Sequence, residues 1–392
     1  MQDETATLAA GFQRIKADSG LSRAQVLRAY AAYRPETGHK MLLSEFMALG
    51  LYRDKRVPSG FIGAQEAALF ARRMNFQTHK RGLVADKLLF DGALRGLNFP
   101  VAPLQACFGA KSLPAPVHSL KTRADIAAFL YQKARYPLFG KPLSGQNSDD
   151  VISIDGIDPA SRRLRLVTGE ELDMQAALSR IAPRHFRWGY LFQSRIFQHP
   201  TLSKLIGPTL GSFRVITFLH EAQSRVIAAF WKIPRQGMVA DNLWRGAMIG
   251  AVNIATGEVG PVRTGLGPAA DWCQTHPDTG GRFEGVQVPH WSALVDCVTR
   301  ASGLLSGLPL VGWDVAISQD GPVIIEANTS PSLDLVQYAT QRPALEPALR
   351  QEMLAECARL ERQHKKTRKE ARQRLSAKVR ARLHGALRAR RK

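Results

Sequence analysis

The chain has 392 residues, 45% apolar and 22% charged, the balance of a globular protein of one to three domains, without a low-complexity linker or internal repeat. No stretch approaches the roughly 18 uncharged apolar residues of a membrane helix, and the acidic start from Met1 to Glu4 is unlike the basic opening of a signal peptide, so a cytoplasmic protein is expected. Lys and Arg exceed Asp and Glu by 54 to 33, but residues 359–392 carry +13 of this and residues 1–358 only +8, so nucleic acid is not expected as the partner of the body of the chain.

In chain order, residues 1–80 read as an accessory region of short helices. Ser22 to Gln25 forms a capping-box pattern, and Val26, Leu27, Tyr30 and Tyr33 follow at helical spacing. From residue 81 to about 340 strand and helix signals mix, which gives an α+β or α/β class. Thr122 with Asp125 opens a helix through Phe129 and Leu130, and Tyr136 to Pro142 follows as an extended segment. Val151 to Ile154, a turn from Asp155 to Ser161, and Leu164 to Val167 predict a hairpin. Phe213 to Leu219 and Val226 to Trp231 are rich in β-branched and aromatic residues, which suits buried strands. A helix is predicted from about Trp291 to Leu305. The four cysteines, Cys107, Cys273, Cys297 and Cys357, stand singly, so neither a zinc site nor a disulfide framework is indicated.

Residues 341–392 form a basic tail in which Leu375, Val379, Leu383 and Leu387 recur every four residues, an apolar stripe on a helix. Such a helix can lie on an anionic membrane surface, contact nucleic acid, or pack its stripe on the protein with its charges solvated.

The chemistry is concentrated between Gly312 and Asn328. Asp320-Gly321 between two apolar runs predicts a β-hairpin, with Asp320 itself in the turn. Side chains alternate along a strand, so Glu326 and Asn328 share a face, and the hairpin can bring Asp314 opposite them. Two carboxylates and an amide converging in an apolar sheet are costly unless a cation neutralises them. Magnesium, which takes hard oxygen ligands and shares them with substrate phosphates, fits that need.

Asp314 followed by Glu326-Ala327-Asn328 resembles the metal-binding signature of the ATP-grasp superfamily. Further segments resemble one branch of it, the sugar-transfer-associated ATP-grasp family, related to α-L-glutamate ligases. These are Asp86-Lys87, Phe139 to Pro142, Gln198-His199-Pro200, Phe213 to Thr217, Ala240-Asp241-Asn242, His276 to Gly280 and Pro289-His290-Trp291. The likeness runs from about residue 20 to 340. Asn242 to Gly246 is also similar to the Asn-x-x-Arg-Gly segment of the ribosomal-protein-modifying glutamate ligases.

The resemblance implies an ATP-grasp fold over residues 81–340, two α+β subdomains gripping ATP, with magnesium or manganese held by Asp314, Glu326 and Asn328. Lys141, a cation on an apolar strand, and Lys87 would reach phosphate oxygens. Ser144 and Gly145 would belong to the loop that closes over them, although Gly145 is its single glycine where the family pattern has more. Phe192, Gln193 and Ser194 would form the hinge strand for adenine, with Ser194 where an acid is common. Arg214, in a strongly apolar strand, would stabilise the γ-phosphate and the developing acyl phosphate. Asn242 and Arg245 would line the acceptor side, and His276 is a further candidate there. The implied activity is an ADP-forming carboxylate–amine ligase acting through an acyl phosphate, with small carboxylate and amine substrates that include sugar-linked ones, in surface polysaccharide or sugar modification. A phosphotransferase on the same scaffold and a non-catalytic nucleotide-binding protein working through its tail are the alternatives. The tail would hold the enzyme peripherally at the inner face of the membrane.

Overall fold

The computed structural model describes residues 4–35, 39–54, 59–76, 78–143, 150–181, 189–221 and 223–389. Six helices come first: α1 (Glu4–Ser19), α2 (Arg23–Ala32), α3 (Leu43–Ala48), α4 (Ala64–Met74), α5 (Thr78–Ala85) and α6 (Lys87–Gly96). The Ser22 capping box forms, its hydroxyl accepting from Gln25 N–H at 3.3 Å and Gln25 Oε1 accepting from Ser22 N–H at 2.8 Å. The boundary expected at residue 80 falls inside α5, and helix continues to Gly96 because Asp86 caps α6 by accepting from Leu88 and Leu89 N–H.

A first sheet follows. Its strands are β1 (Leu104–Phe108), β2 (His118–Leu120), β3 (Leu138–Pro142), β4 (Ile152–Ile157), β5 (Leu164–Leu166), β6 (Glu171–Leu172) and β7 (Tyr190–Ser194). Their order is β2-β1-β7-β3-β4-β5-β6, antiparallel except for the β1/β2 pair. Helices α7 (Arg123–Gln132) and α8 (Met174–Arg180) accompany it. One face closes a core of Phe129, Leu138, Ile152, Ile154, Tyr190 and Phe192. The predicted 151–167 hairpin is β4 and β5.

The second sheet contains β8 (Ser212–His220), β9 (Gln223–Ile233), β10 (Met248–Val252), β11 (Val259–Arg263), β12 (Trp272–Cys273), β13 (Leu310–Ser318) and β14 (Gly321–Asn328). Its antiparallel order is β12-β11-β10-β9-β8-β13-β14. Helix α9 (Pro200–Ile206) precedes it, α10 (Trp291–Leu304) packs on β8 and β9, and α11 (Leu333–Thr340) packs on β9, β10 and β11. Alternation divides each strand. Phe213, Val215, Trp231 and Trp313 enter a core with Leu294 and Val298 of α10, which leaves Arg214, Lys232 and Asp314 for the opposite face. Asn75, at the C-terminus of α4 and wholly buried, ties the helical layer to this sheet: it accepts from Leu310 N–H and donates to the Leu310 and Thr329 carbonyls.

Residues 1–345 form one compact unit, and residues 346–392 a second. The second is dominated by α12 (Pro347–Ala389). Among the described residues no helix is long and apolar enough to cross a membrane.

Candidate active site

The β13/β14 hairpin places Asp314 opposite Glu326, with Gly312 opposite Asn328, and the register shifts at a bulge between Asp314 and Val315. The Glu326 and Asp314 carboxylates adjoin each other, and Asn328 Nδ2 donates to Glu326 Oε1 at 3.2 Å. The three candidate metal ligands are therefore neighbours, as strand alternation requires.

Arg214 lies beside Asp314 on β8 and grips it with two bonds, Nε to Oδ1 at 2.5 Å and Nη2 to Oδ2 at 3.0 Å. Its Nη1 donates to Pro331 O at 3.0 Å, fixing the segment after β14. Burial alone would lower the Arg214 pKa, but the Asp314 carboxylate more than reverses this. Burial likewise disfavours ionised Asp314, and Arg214 and Lys232 hold its carboxyl well below the usual range.

Sequence reasoning missed Lys232. Its Nζ is 3.1 Å from Asp314 Oδ2 and 3.5 Å from Asp241 Oδ1. Burial opposes its charge, and Asp241 and Asp314 restore it, so its pKa is raised. Asp241 in turn accepts from the Ser212 N–H at 2.7 Å and from the Ser212 hydroxyl. The available signal was the one that singled out Arg214, a cation inside an apolar strand.

Next to Glu326, a narrow cavity between the first sheet, α6 and β14 is lined by Lys87, Asp91, Lys141, Gln193 and Glu326. Lys141 pairs with Leu191 across β3 and β7, so its side chain leaves the face opposite Tyr190 and Phe192. It is buried, and Nζ lies 3.4 Å from Ile325 O of β14. Burial lowers its pKa, and Glu326, the largest opposing influence, partly restores it. Gln193 Nε2 donates to Asp91 Oδ1 at 3.0 Å, and Asp91 is also paired with Arg95 at 3.0 Å. Burial raises the Asp91 pKa.

The remaining candidates do not all converge here. The Phe192 ring is wholly buried in the core of the first sheet, 5.4 Å from Phe129, on the face away from Lys141. Its side chain is therefore not part of that cavity. Ser194 receives a hydrogen bond from Gln105 Nε2 at 3.0 Å. Ser144 and Gly145 lie outside the described residues. Asn242 is buried and caps the short turn Leu243–Arg245 by accepting from Trp244 N–H, while Arg245 is exposed. His276 is also buried, against Pro234 O at 3.0 Å, so it is a satisfied interior histidine and not an exposed loop residue.

Among the described residues no three His, Cys, Asp or Glu side chains form a metal cage. Magnesium does not require one, since it binds through one or two carboxylates and completes its shell with water and phosphate oxygens. Asp314 carries three N–H donors on two oxygens, which leaves acceptor capacity, and the adjoining Glu326 carboxylate calls for a cation between them. The donor set fits magnesium, and Lys141, Arg214 and Lys232 fit the phosphates.

Residues 66–351 match the family described as sugar-transfer associated ATP-grasp, and no curated protein matches. Among solved structures, the D-alanine-D-alanine ligase from Coxiella burnetii is similar at 10% identity over 74% of this chain and 61% of that one, with a TM-score of 0.42. The L-amino acid ligase from Bacillus licheniformis is similar at 16% identity over 69% of this chain and 50% of that one, with a TM-score of 0.37. The chain thus spans less than two thirds of either protein. The family match covers well over half of the chain, and the chain belongs to the sugar-transfer-associated ATP-grasp family.

Proposed function

We propose that the chain is an ATP- and magnesium-dependent ligase that joins a carboxylate to an amine with release of ADP and phosphate, acting on sugar-linked substrates. The observation that carries this reading is Lys141 of the first sheet standing across the narrow cavity from Glu326 of the second, beside the Arg214–Asp314–Lys232 network. Cations on both walls suit a triphosphate, and carboxylates between them suit its metal.

Magnesium at Asp314, Glu326 and Asn328 would neutralise charge on the β- and γ-phosphates. A substrate carboxylate oxygen attacks the γ-phosphorus while the bond to the bridging oxygen breaks and ADP leaves. Arg214 and Lys232, preset by Asp314, stabilise the charge that moves onto the phosphoryl oxygens. The amine nitrogen then attacks the acyl carbon, inorganic phosphate departs, and the amine loses a proton as the amide forms. No side-chain nucleophile is needed, because the chain contributes positioning and electrostatics. The sugar assignment is supported by the family description alone.

Thermal unfolding with MgATP tests the nucleotide site. At a hundredfold excess over its Kd, a ligand that binds only the native state stabilises it by about 2.7 kcal/mol. Wild type is expected to shift, and Lys141→Ala and Glu326→Ala are expected to lose that shift. No magnesium-dependent shift in wild type at millimolar ATP overturns the reading. A stable phosphorylated product without amide would reassign the chain as a phosphotransferase.

A further inference from the structure

Residues 234–241 leave β9 after Ile233 and fold back on it, because Asp241 Oδ1 ends 3.5 Å from Nζ of Lys232, the last residue but one of that strand. From Arg235 to Asp241 no residue is buried, and Gln236 and Gly237 are exposed, so core packing does not fix this loop. Side chains from elsewhere in the chain do.

His276 is wholly buried. Its Nδ1 accepts from Asp278 N–H at 3.3 Å, which places the ring proton on Nε2, and Nε2 donates to Pro234 O at 3.0 Å. The Asp278 carboxylate takes its donors from the next two loop residues: Arg235 Nε at 2.7 Å, Arg235 Nη2 at 2.8 Å and Gln236 N–H at 2.8 Å. Hydrogen bonding from Arg235 holds that carboxyl down to about 2 against the opposing effect of burial, and Gln236 N–H adds to it. A single exposed ion pair contributes little, but a bidentate pair that shares its carboxylate with a backbone N–H fixes direction as well as distance. Further along the loop, Thr209 Oγ1 donates to Met238 O at 3.1 Å.

The turn that supplies His276 and Asp278 is itself anchored. Gly280 N–H donates back to His276 O at 2.8 Å, and Thr279 Oγ1 donates to Leu205 O of α9 at 2.5 Å. Gly281 approaches α9 so closely that a Cβ would lie 2.3 Å from Leu205 O.

We propose that the His276–Thr279 turn is a brace for the active site, in which His276 and Asp278 are positioning residues that hold the 234–241 loop so that Asp241 meets Lys232 and Ser212. They act through Asp241 and not on substrate. Asn242 follows Asp241 directly and caps the Leu243–Arg245 turn, so the same brace sets where the candidate acceptor residues begin. The part that Lys232 plays at the phosphates rests on the ligase reading, whereas the brace itself does not.

Hydrogen exchange of the full chain tests it, because Ser212 N–H donates to Asp241 at 2.7 Å and reports where Asp241 stands. Asp278→Asn is expected to raise exchange by about tenfold or more in residues 234–246 and at Ser212, with β10, β11 and α10 unchanged. Asp241→Ala should raise exchange at Ser212 to the same degree, and the double variant should raise it no further, as for two changes in one linkage. Asp278→Glu, which keeps the charge, should recover part of the protection. With MgATP, Asp278→Asn and Asp241→Ala should each weaken binding by a similar factor, about threefold or more, and the double variant by no more than either. The brace is overturned if exchange at Ser212 is unchanged in either single variant, if the effects multiply in the double variant, or if exchange in Asp278→Asn rises evenly over both sheets, which would make Asp278 a general stabilising residue. Unchanged MgATP binding in Asp278→Asn beside weakened binding in Asp241→Ala also overturns it. An absent MgATP response in wild type counts against the ligase reading, and exchange at Ser212 then still decides the brace.

Discussion

Asp314 and Asp334 are both buried carboxylates, and their surroundings drive them in opposite directions. Asp314 faces two cations, so Asp314→Asn strips the counter-charge from Arg214 and half of it from Lys232. Breaking a buried pair from one side costs about 3–5 kcal/mol, and chemical denaturation should find a loss of that order. A loss below about 1 kcal/mol would mean that Asp241 and Pro331 O suffice for the two cations. Asp334, in the first turn of α11, is pushed up to about 6, chiefly by burial with Glu45 adding to it. Its folded pKa lies above the unfolded value, so the folded chain keeps a proton that the unfolded chain releases. This contribution is fully present below about pH 4, where both states are protonated, and is lost as pH rises through about 6. Asp334→Asn should therefore be more stable than wild type at pH 7.5 by about 3 kcal/mol, with the difference vanishing near pH 4. A difference independent of pH between 4 and 7.5 would exclude titration of Asp334 as its source.

At the scale of elements, the candidate metal hairpin is held from outside itself. Asn75 of the helical layer bonds the first residue of β13 twice and then Thr329, one residue beyond Asn328. Asn75→Ala leaves buried donors and acceptors unsatisfied at about 1–3 kcal/mol each, so a loss of about 2–4 kcal/mol is expected on urea denaturation. Asn75→Asp should do worse, since a carboxylate would face two carbonyl oxygens. Wild-type stability in both variants would show that the hairpin positions itself. These contacts mark where the sequence was legible. The hairpin could be read because its turn and its alternation are local, and Arg214 could be read because a cation interrupts an apolar run. Asn75 meets Leu310 across 235 positions and Lys232 meets Asp314 across 82, and no pattern in one sequence encodes such pairings. The face that the Phe192 ring takes was not legible because the run from Tyr190 to Phe192 is apolar on both faces. Only its pairing with Gly140, next to Lys141, identifies the face that turns to the core.

At the scale of the whole molecule, the charge is divided as the chain is. Residues 359–392 carry +13, and their backbone continues α12 to Ala389, a 43-residue helix about 64 Å long at 1.5 Å per residue. Each basic residue near an anionic leaflet contributes about 1 kcal/mol, an attraction that decays within about 10 Å at 0.1 M salt. Fifteen basic residues against two acids give ample attraction even if only one side of the helix touches lipid. The full chain is therefore expected to float with vesicles of anionic lipid, to stay behind with neutral ones, and to be released by about 0.5 M salt, which screens the attraction. Deleting residues 359–392 should abolish flotation and leave the MgATP shift in place, since residues 1–345 form a compact unit of their own. Equal flotation of the full and shortened chains would end the membrane assignment. Salt-sensitive retardation of a DNA or RNA fragment that vesicles fail to compete away would transfer the tail to nucleic acid, where the slope of affinity against salt counts the phosphates neutralised.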